Sequence, residues 1–226
     1  MLRAVIFDFD GVITDSEVLH LRAFNQVLAQ YGVEISTRDY YKEYLGLSDF
    51  DFFKAIIDKE VLQKPAKSIE NLAEEKTEVF KELAKTDGRI IEGVRDFLQM
   101  LGRNNIPKAI CSGALLTEIE LVLEQARLRS FFEVIVSAEF VKKGKPSPEG
   151  FLLTLKKLNR NRQNPILPNQ CIVIEDSHWG LEAARAAGMH SVAVTNSYEA
   201  DQLTLAEKIV TKLGELSMED LQNLCR

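Results

Sequence analysis

Cysteine is scarce in this chain, and the few present form no pattern. Cys111, Cys171 and Cys225 are widely spaced, odd in number and contain no CxxC pair. That excludes a disulfide framework and points to a reducing compartment. Long apolar runs are also missing: no stretch approaches the ~18 residues that a membrane-spanning helix needs. The N-terminal apolar run is interrupted by Asp8 and Asp10, so it does not read as a secretory signal. The expectation is a cytoplasmic protein with no membrane partner. Basic blocks are lacking as well. With 28 Lys and Arg against 34 Asp and Glu, the net charge is −6. This disfavours nucleic acid and anionic membrane surfaces as partners. Internal repeats and low-complexity tracts are absent.

What is there suits a folded enzyme-sized protein. The chain has 226 residues, 46% of them hydrophobic, enough for one α/β core plus an insert. Short apolar runs recur at 4–7, 109–111, 134–136, 171–174 and 191–195. The first reads as a strand buried on both faces. Helical patterns separate the later runs. Residues 115–126 carry Ile119, Val122 and Leu123 on one face, and the Ala-rich stretch 180–187 stops at Gly188. Strand and helix alternating at this spacing predict a parallel sheet with right-handed crossovers.

Residues 16–88 differ. They hold no convincing strand and read as successive helices over 17–31, 49–61 and 68–85. The first presents Phe24, Val27, Leu28 and Tyr31 on one face and stops at Gly32. An all-helical segment directly after the first strand reads as a lid, with Thr86-Asp87-Gly88-Arg89 as its return hinge. The expected organisation is an α/β core of residues 1–15 and 89–226, interrupted by a helical cap of residues 16–88.

The chemistry concentrates at strand ends. Residues 2–15 read LRAVIFDFDGVITD, which puts Asp8, Asp10 and Asp15 just after the first apolar run. Open α/β sheets bind ligands at the carboxyl ends of their strands. Two carboxylates two residues apart repel one another there, and call for a cation or a shared proton. Three further motifs follow in order: Ala109-Ile110-Cys111-Ser112-Gly113, a strand ending in a hydroxyl; Lys145 in GKPSPEGF; and Glu175-Asp176 in VIEDSHWG. Each is weak alone. Ser112 could be a helix N-cap, Lys145 part of a solvated run with Lys142 and Lys143, and Glu175-Asp176 the cap of the next helix. Ser147 reads as an N-cap with Pro148 at the first helical position. Asp15 reads as structural. Together, in this order and spacing, the four motifs are specific.

The chain resembles the haloacid dehalogenase-like hydrolases, and within them the branch of β-phosphoglucomutase and phosphoglycolate phosphatase, which carries a helical cap. The resemblance covers essentially the whole chain and implies a Rossmann-like core with a parallel sheet flanked by helices, plus an inserted all-α cap. It also implies roles. Asp8 is the nucleophile that forms an aspartyl phosphate, and Asp10 the general acid and base, its pKa raised relative to that of Asp8. Mg²⁺ is held by the Asp8 side chain, the Asp10 carbonyl and the Asp176 side chain, with Glu175 acting through water. Ser112 and the Gly113 N–H receive the phosphoryl oxygens, and Lys145 supplies fixed positive charge.

The cap selects the substrate in such enzymes. His20 shares a helix face with Phe24 and Val27. It stands where the β-phosphoglucomutase branch has a catalytic histidine, although a partly buried helix histidine is an equal reading. His178 is expected to flank the metal site, and His190 to be structural. The loop Tyr44-Leu45-Gly46-Leu47-Ser48-Asp49 matches the cap loop that faces the core. β-Phosphoglucomutase has an arginine where this chain has Asp49, and polar and basic residues where it has Gly113-Ala114-Leu115-Leu116. An acid facing the pocket would repel a second phosphate or a carboxylate. The expectation is therefore a phosphatase of a small phosphorylated metabolite, with a hexose phosphomutase, which His20 favours and the missing cap arginine opposes, as the alternative. A neutral sugar or polyol monophosphate, donating hydroxyls to Ser48 and Asp49, suits the loop. A dehalogenase needs no metal and fits less well. A non-catalytic binding protein of the same fold would normally lack one of the motif residues, and none is missing.

Overall fold

A computed structural model describes residues 1–63, 65–87 and 89–226. The chain divides into two compact units, Met1–Asp15 with Ile90–Arg226, and Ser16–Arg89.

The first unit is built on a six-stranded parallel sheet in the order β3-β2-β1-β4-β5-β6. The strands are β1 (Ala4–Phe7), β2 (Lys108–Cys111), β3 (Val134–Val136), β4 (Cys171–Glu175), β5 (His190–Val194) and β6 (Lys208–Val210). β1, β2 and β4 are buried along their whole length, as expected for strands covered on both faces. The short, partly exposed β6 lies at the sheet edge and gave no clear apolar run in the sequence. Strand order turns between β1 and β4, the switch point at which doubly wound sheets open a ligand crevice.

Helices α5 (Val94–Arg103), α6 (Leu116–Gln125), α7 (Glu149–Leu158), α8 (His178–Ala186) and α9 (Met218–Leu224) complete this unit. The apolar face of α7, with Phe151, Leu155 and Leu158, packs with Ile6, Val173, Ala183 and Ala184 into one core cluster. Two helix starts differ from the sequence reading. α7 has Pro148, not Ser147, at its N-cap position; the Ser147 hydroxyl instead accepts from the Glu149 N–H at 3.3 Å. α8 begins two residues earlier than Gly180, because Ser177 caps it by accepting from the Gly180 N–H.

The second unit consists of α1 (Glu17–Leu28), α2 (Thr37–Glu43), α3 (Asp49–Asp58) and α4 (Ile69–Asp87). α1 continues as a 3₁₀ turn over Ala29–Tyr31 and stops at Gly32, whose φ of 69° is left-handed. The core gathers Phe24, Val27 and Leu28 of α1, Tyr40 of α2, Phe52, Phe53 and Ile56 of α3 and Leu72 of α4. Phe24 and Phe52 stack with centroids 3.7 Å apart. α2 is short and gave too little periodicity to be read from the sequence. α4 runs through Asp87, past the start of the expected hinge, and Gly88 lies outside the described residues.

Candidate active site

The turn after β1 is closed by backbone hydrogen bonds. Val12, Ile13 and Thr14 all donate to the Phe9 carbonyl, and the Gly11 N–H donates to that of Thr14 at 2.8 Å. Gly11 has a φ of +72°, and a Cβ there would lie 1.7 Å from Asp176 Oδ2. Only glycine lets the turn lie this close to the end of β4. Asp8 is held beside that end by its N–H, which donates to the Ile174 carbonyl at 2.9 Å. β1 and β4 are hydrogen-bonded neighbours, and their carboxyl ends therefore deliver Asp8, Glu175 and Asp176 to one place. Ligand oxygens of these three buried carboxylates lie within 4.8 Å of one another.

Lys145 reaches the same place from the loop before α7. Its Nζ donates to Asp8 Oδ1 and to Glu175 Oε1, each at 2.5 Å. Its neighbours Lys142 and Lys143 are exposed, and their N–H groups donate to the Glu149 carboxylate, which anchors the loop. Glu175 is saturated by the chain itself. Its Oε2 accepts from the Asp176 and Ser177 N–H groups at 3.1 and 3.2 Å and from the Ser177 hydroxyl at 2.9 Å. A Cβ on Gly180 would come within 1.8 Å of Glu175 Oε1, so the first turn of α8 needs its glycine too. Asp176 Oδ2 accepts from the Ser197 hydroxyl.

Charge bookkeeping defines what this cluster can hold. Three carboxylates face one ammonium. Burial, with Glu175 and Asp10 nearby, keeps the Asp8 pKa well above the ordinary carboxylate range despite Lys145. Burial, Glu175 and Asp8 do the same to Asp176. For Lys145, burial opposes the charge, but Asp8 and Glu175 outweigh it and its pKa is raised. With all three carboxylates ionised, the cluster would carry two more negative charges than the one ammonium balances, and buried charge of that kind is costly. An oxygen-preferring divalent cation would balance them, so the donor set fits Mg²⁺.

Ser112 lies at the end of β2, next to β1 in the sheet. It is not the N-cap of α6, which is Leu115. Its hydroxyl accepts from the Ala114 N–H at 2.9 Å, leaving its proton to donate. A Cβ on Gly113 would meet nothing within 4 Å, so the backbone beside Ser112 is open. Asp10 lies on the Gly11 turn and is bridged to Thr14. His178 packs against Trp179 and Tyr198 and is not part of the carboxylate cluster. His190 faces Glu207 at 2.9 Å. Asp15 is exposed, and Ser16 occupies the N-cap position of α1.

In the second unit, two expected site residues meet through one that sequence reading missed. Lys76 of α4 is fully buried. Its Nζ donates to Asp49 Oδ1 at 2.7 Å and contacts His20 Nδ1 at 2.6 Å. It also lies 4.9 and 5.0 Å from the ring centroids of Phe24 and Phe80. An ammonium has no lone pair, so Nδ1 accepts and the His20 ring proton is on Nε2. Burial, then Lys76, pushes the His20 pKa well below its usual value. This corrects the reading of Asp49 as an unbalanced acid, because Lys76 neutralises it. Ser48 is occupied as the N-cap of α3, accepting from the Asp51 N–H at 3.1 Å. Gly46 is exposed with a φ of +78°. A signal for Lys76 was available: it lies on the stripe Leu72, Phe80 and Ala84, all buried.

Known proteins resemble this chain in sequence and in fold. The profile of the haloacid dehalogenase-like hydrolases matches residues 5–194. A "Phosphorylated carbohydrates phosphatase" of Thermotoga maritima is 33% identical over 195 residues, 84% of each chain. "Hexitol phosphatase B" of Escherichia coli is 30% identical over 97% of this chain and 96% of its own. The solved structure of a β-phosphoglucomutase from Clostridium difficile superposes with a TM-score of 0.82 at 29% identity, over 100% of this chain and 97% of that one. By its motifs, its sheet order and these matches, the chain belongs to the haloacid dehalogenase-like hydrolase family.

Proposed function

We propose that this protein is a Mg²⁺-dependent phosphatase that hydrolyses a sugar or polyol monophosphate through an aspartyl phosphate on Asp8. The carrying observation is the buried cluster of Asp8, Glu175 and Asp176 beside Lys145, three carboxylates against one ammonium. The relatives described as carbohydrate and hexitol phosphatases support the substrate class. Mg²⁺, held by Asp8, Asp176 and the Asp10 carbonyl, would supply positive charge against the phosphate dianion.

In this reading Lys145 holds Asp8 Oδ1 and favours the ionised carboxylate, leaving Oδ2 to attack phosphorus. The phosphorus–oxygen bond to the sugar breaks as the new bond forms. Asp10 gives its proton to the departing alkoxide, then takes one from the water that attacks the aspartyl phosphate. That second step releases phosphate and restores the Asp8 carboxylate. Ser112, through its free hydroxyl proton, and the Gly113 N–H hold the phosphoryl oxygens. Glu175, saturated by Lys145 and backbone donors, keeps Lys145 aimed.

The residue 16–89 unit is the substrate-selecting cap in this proposal. Asp49 balances Lys76 and His20 is neutral, so this cluster offers no free cation to a second phosphate. That favours substrates whose far end is uncharged, and favours hydrolysis over mutase chemistry, which must hold a bisphosphate. The free, buried cysteines suit a cytoplasmic setting. Phosphate release from hexose, pentose and polyol monophosphates, phosphoglycolate and nucleotides, with glucose 1-phosphate isomerisation followed in parallel, tests the reading. Release from neutral sugar or polyol esters is expected. Isomerisation without release would make the protein a mutase.

A further inference from the structure

We propose that the loop leaving β5 is a clamp on the cation site, with Ser197 and Asn196 as positioning residues. The inference rests on the metal-dependent reading above. β5 lies beside β4, with Ala193 in register with Glu175, so the chain leaving β5 passes the end of β4 where Asp176 stands. Two consecutive side chains of that loop then reach across. The Ser197 hydroxyl donates to Asp176 Oδ2, and the Asn196 amide donates to the Gly11 carbonyl at 2.6 Å. The loop is itself fixed, with the Thr195 N–H on the Val210 carbonyl at 3.1 Å and the Asn196 N–H on the Val194 carbonyl at 3.0 Å.

The two bonds have different consequences. Ser197 occupies one oxygen of Asp176 and sets the rotation of its carboxylate, which leaves Oδ1 for a cation. Asn196 pins the carbonyl of Gly11, one residue after the Asp10 carbonyl, and so fixes the turn that carries both. The missing Cβ of Gly11 makes room for the Ser197–Asp176 contact: an atom there would lie 2.8 Å from Ser197 Oγ as well as 1.7 Å from Asp176 Oδ2. The three pieces, Gly11, Asp176 and residues 196–197, come from distant parts of the chain and close into one contact. Groups that orient metal ligands in this way typically contribute a 10–100-fold effect on metal affinity.

Calorimetric titration of the full chain with Mg²⁺, without substrate, tests this. Ser197→Ala and Asn196→Ala should each weaken Mg²⁺ binding by about 10-fold or more. Ser197→Thr, which keeps the hydroxyl, should restore it. Ser197→Cys, similar in size but a weak donor, should behave like Ser197→Ala. In turnover assays the loss should appear at low Mg²⁺ and recover as Mg²⁺ is raised. Unchanged Mg²⁺ affinity in the alanine and cysteine variants, with wild-type binding intact, would overturn the clamp alone. A lowered melting temperature in chelator with unchanged Mg²⁺ affinity would make the loop merely structural and also overturn it. Absence of Mg²⁺ binding in the wild type would remove the metal-dependent reading and the clamp with it.

Discussion

As the proposed nucleophile, Asp8 carries two burdens: it must be ionised to attack, and yet it is buried among like charges. Lys145 relieves part of the second burden through a 2.5 Å contact. Asp8→Asn keeps the shape and removes the proposed nucleophile, so turnover should fall by about 10⁴-fold or more. It also removes one charge from a cluster with three carboxylates and one ammonium. Its melting temperature in chelator should therefore equal or exceed that of the wild type. Activity surviving in Asp8→Asn would reject the covalent route. Asp49 poses the opposite case, a carboxylate whose loss unmasks a cation. Asp49→Asn should cost less than the ~3–5 kcal/mol of a fully buried broken pair, because Asp49 is 24% exposed. It should lower KM for sugar bisphosphates relative to monophosphates, and an unchanged ratio would place Lys76 outside substrate selection. His20, held neutral between Lys76 and Phe80, gives a pH dependence. Above its ordinary pKa of about 6.5, folded and unfolded chains are both neutral at this residue. As pH falls below that, the unfolded state takes the proton first. Stability should then drop by up to about 1.4 kcal/mol per pH unit from this group. Denaturant melts of wild type and His20→Gln between pH 7.5 and 5 would show a shallower acid slope in the variant.

At the level of elements, the legible parts were those in which one local pattern fixes one local structure. The run 4–7, the acids behind it and the glycine stop at Gly11 sufficed to place β1 and its turn, because a doubly buried strand and a left-handed glycine each leave a sequence mark. The same holds for β4 with Glu175-Asp176 and for Gly32 closing the first helix. Illegible were features made by pairing distant segments. Nothing near Asp49 announces Lys76, 27 residues away, and nothing near Asp176 announces Ser197. The charged stretch Glu74-Glu75-Lys76-Thr77-Glu78 masks the one cue for the burial of Lys76, the apolar stripe that it shares with Leu72, Phe80 and Ala84. Its burial depends on α4 packing against α1. The Gly11 turn offers a test at this scale. Gly11→Ala would strain a φ of +72° by roughly 1–2 kcal/mol. It would also drive a methyl group into Asp176 Oδ2. Mg²⁺ affinity and turnover should fall together while the fold persists in melting curves. Full activity would mean that the turn can move away from β4 without consequence.

For the whole molecule, the uneven distribution of charge predicts an uneven response to metal. The net charge of −6 is spread over 226 residues, but the costly part is the small buried excess at the ends of β1 and β4. In the absence of a cation that excess opposes folding of the unit formed by residues 1–15 and 90–226. A ligand that binds only the folded state stabilises it by about 2.7 kcal/mol at 100 times its Kd. For a chain of this size each kcal/mol moves the midpoint by ~2–4 °C. Saturating Mg²⁺ should thus raise the melting temperature over that in chelator by roughly 5–10 °C. The gain should vanish in Asp176→Asn, which removes a proposed ligand, and persist in Ser48→Ala, which removes only the N-cap of α3. Hydrogen exchange supplies the spatial half of the test. Added protection should appear at residues 8–14 and 171–177, whose backbone donors build the site. If Mg²⁺ raised the melting temperature equally in Asp176→Asn, the ion would be acting elsewhere on the acidic surface, and the buried carboxylates would have to be balanced by protons.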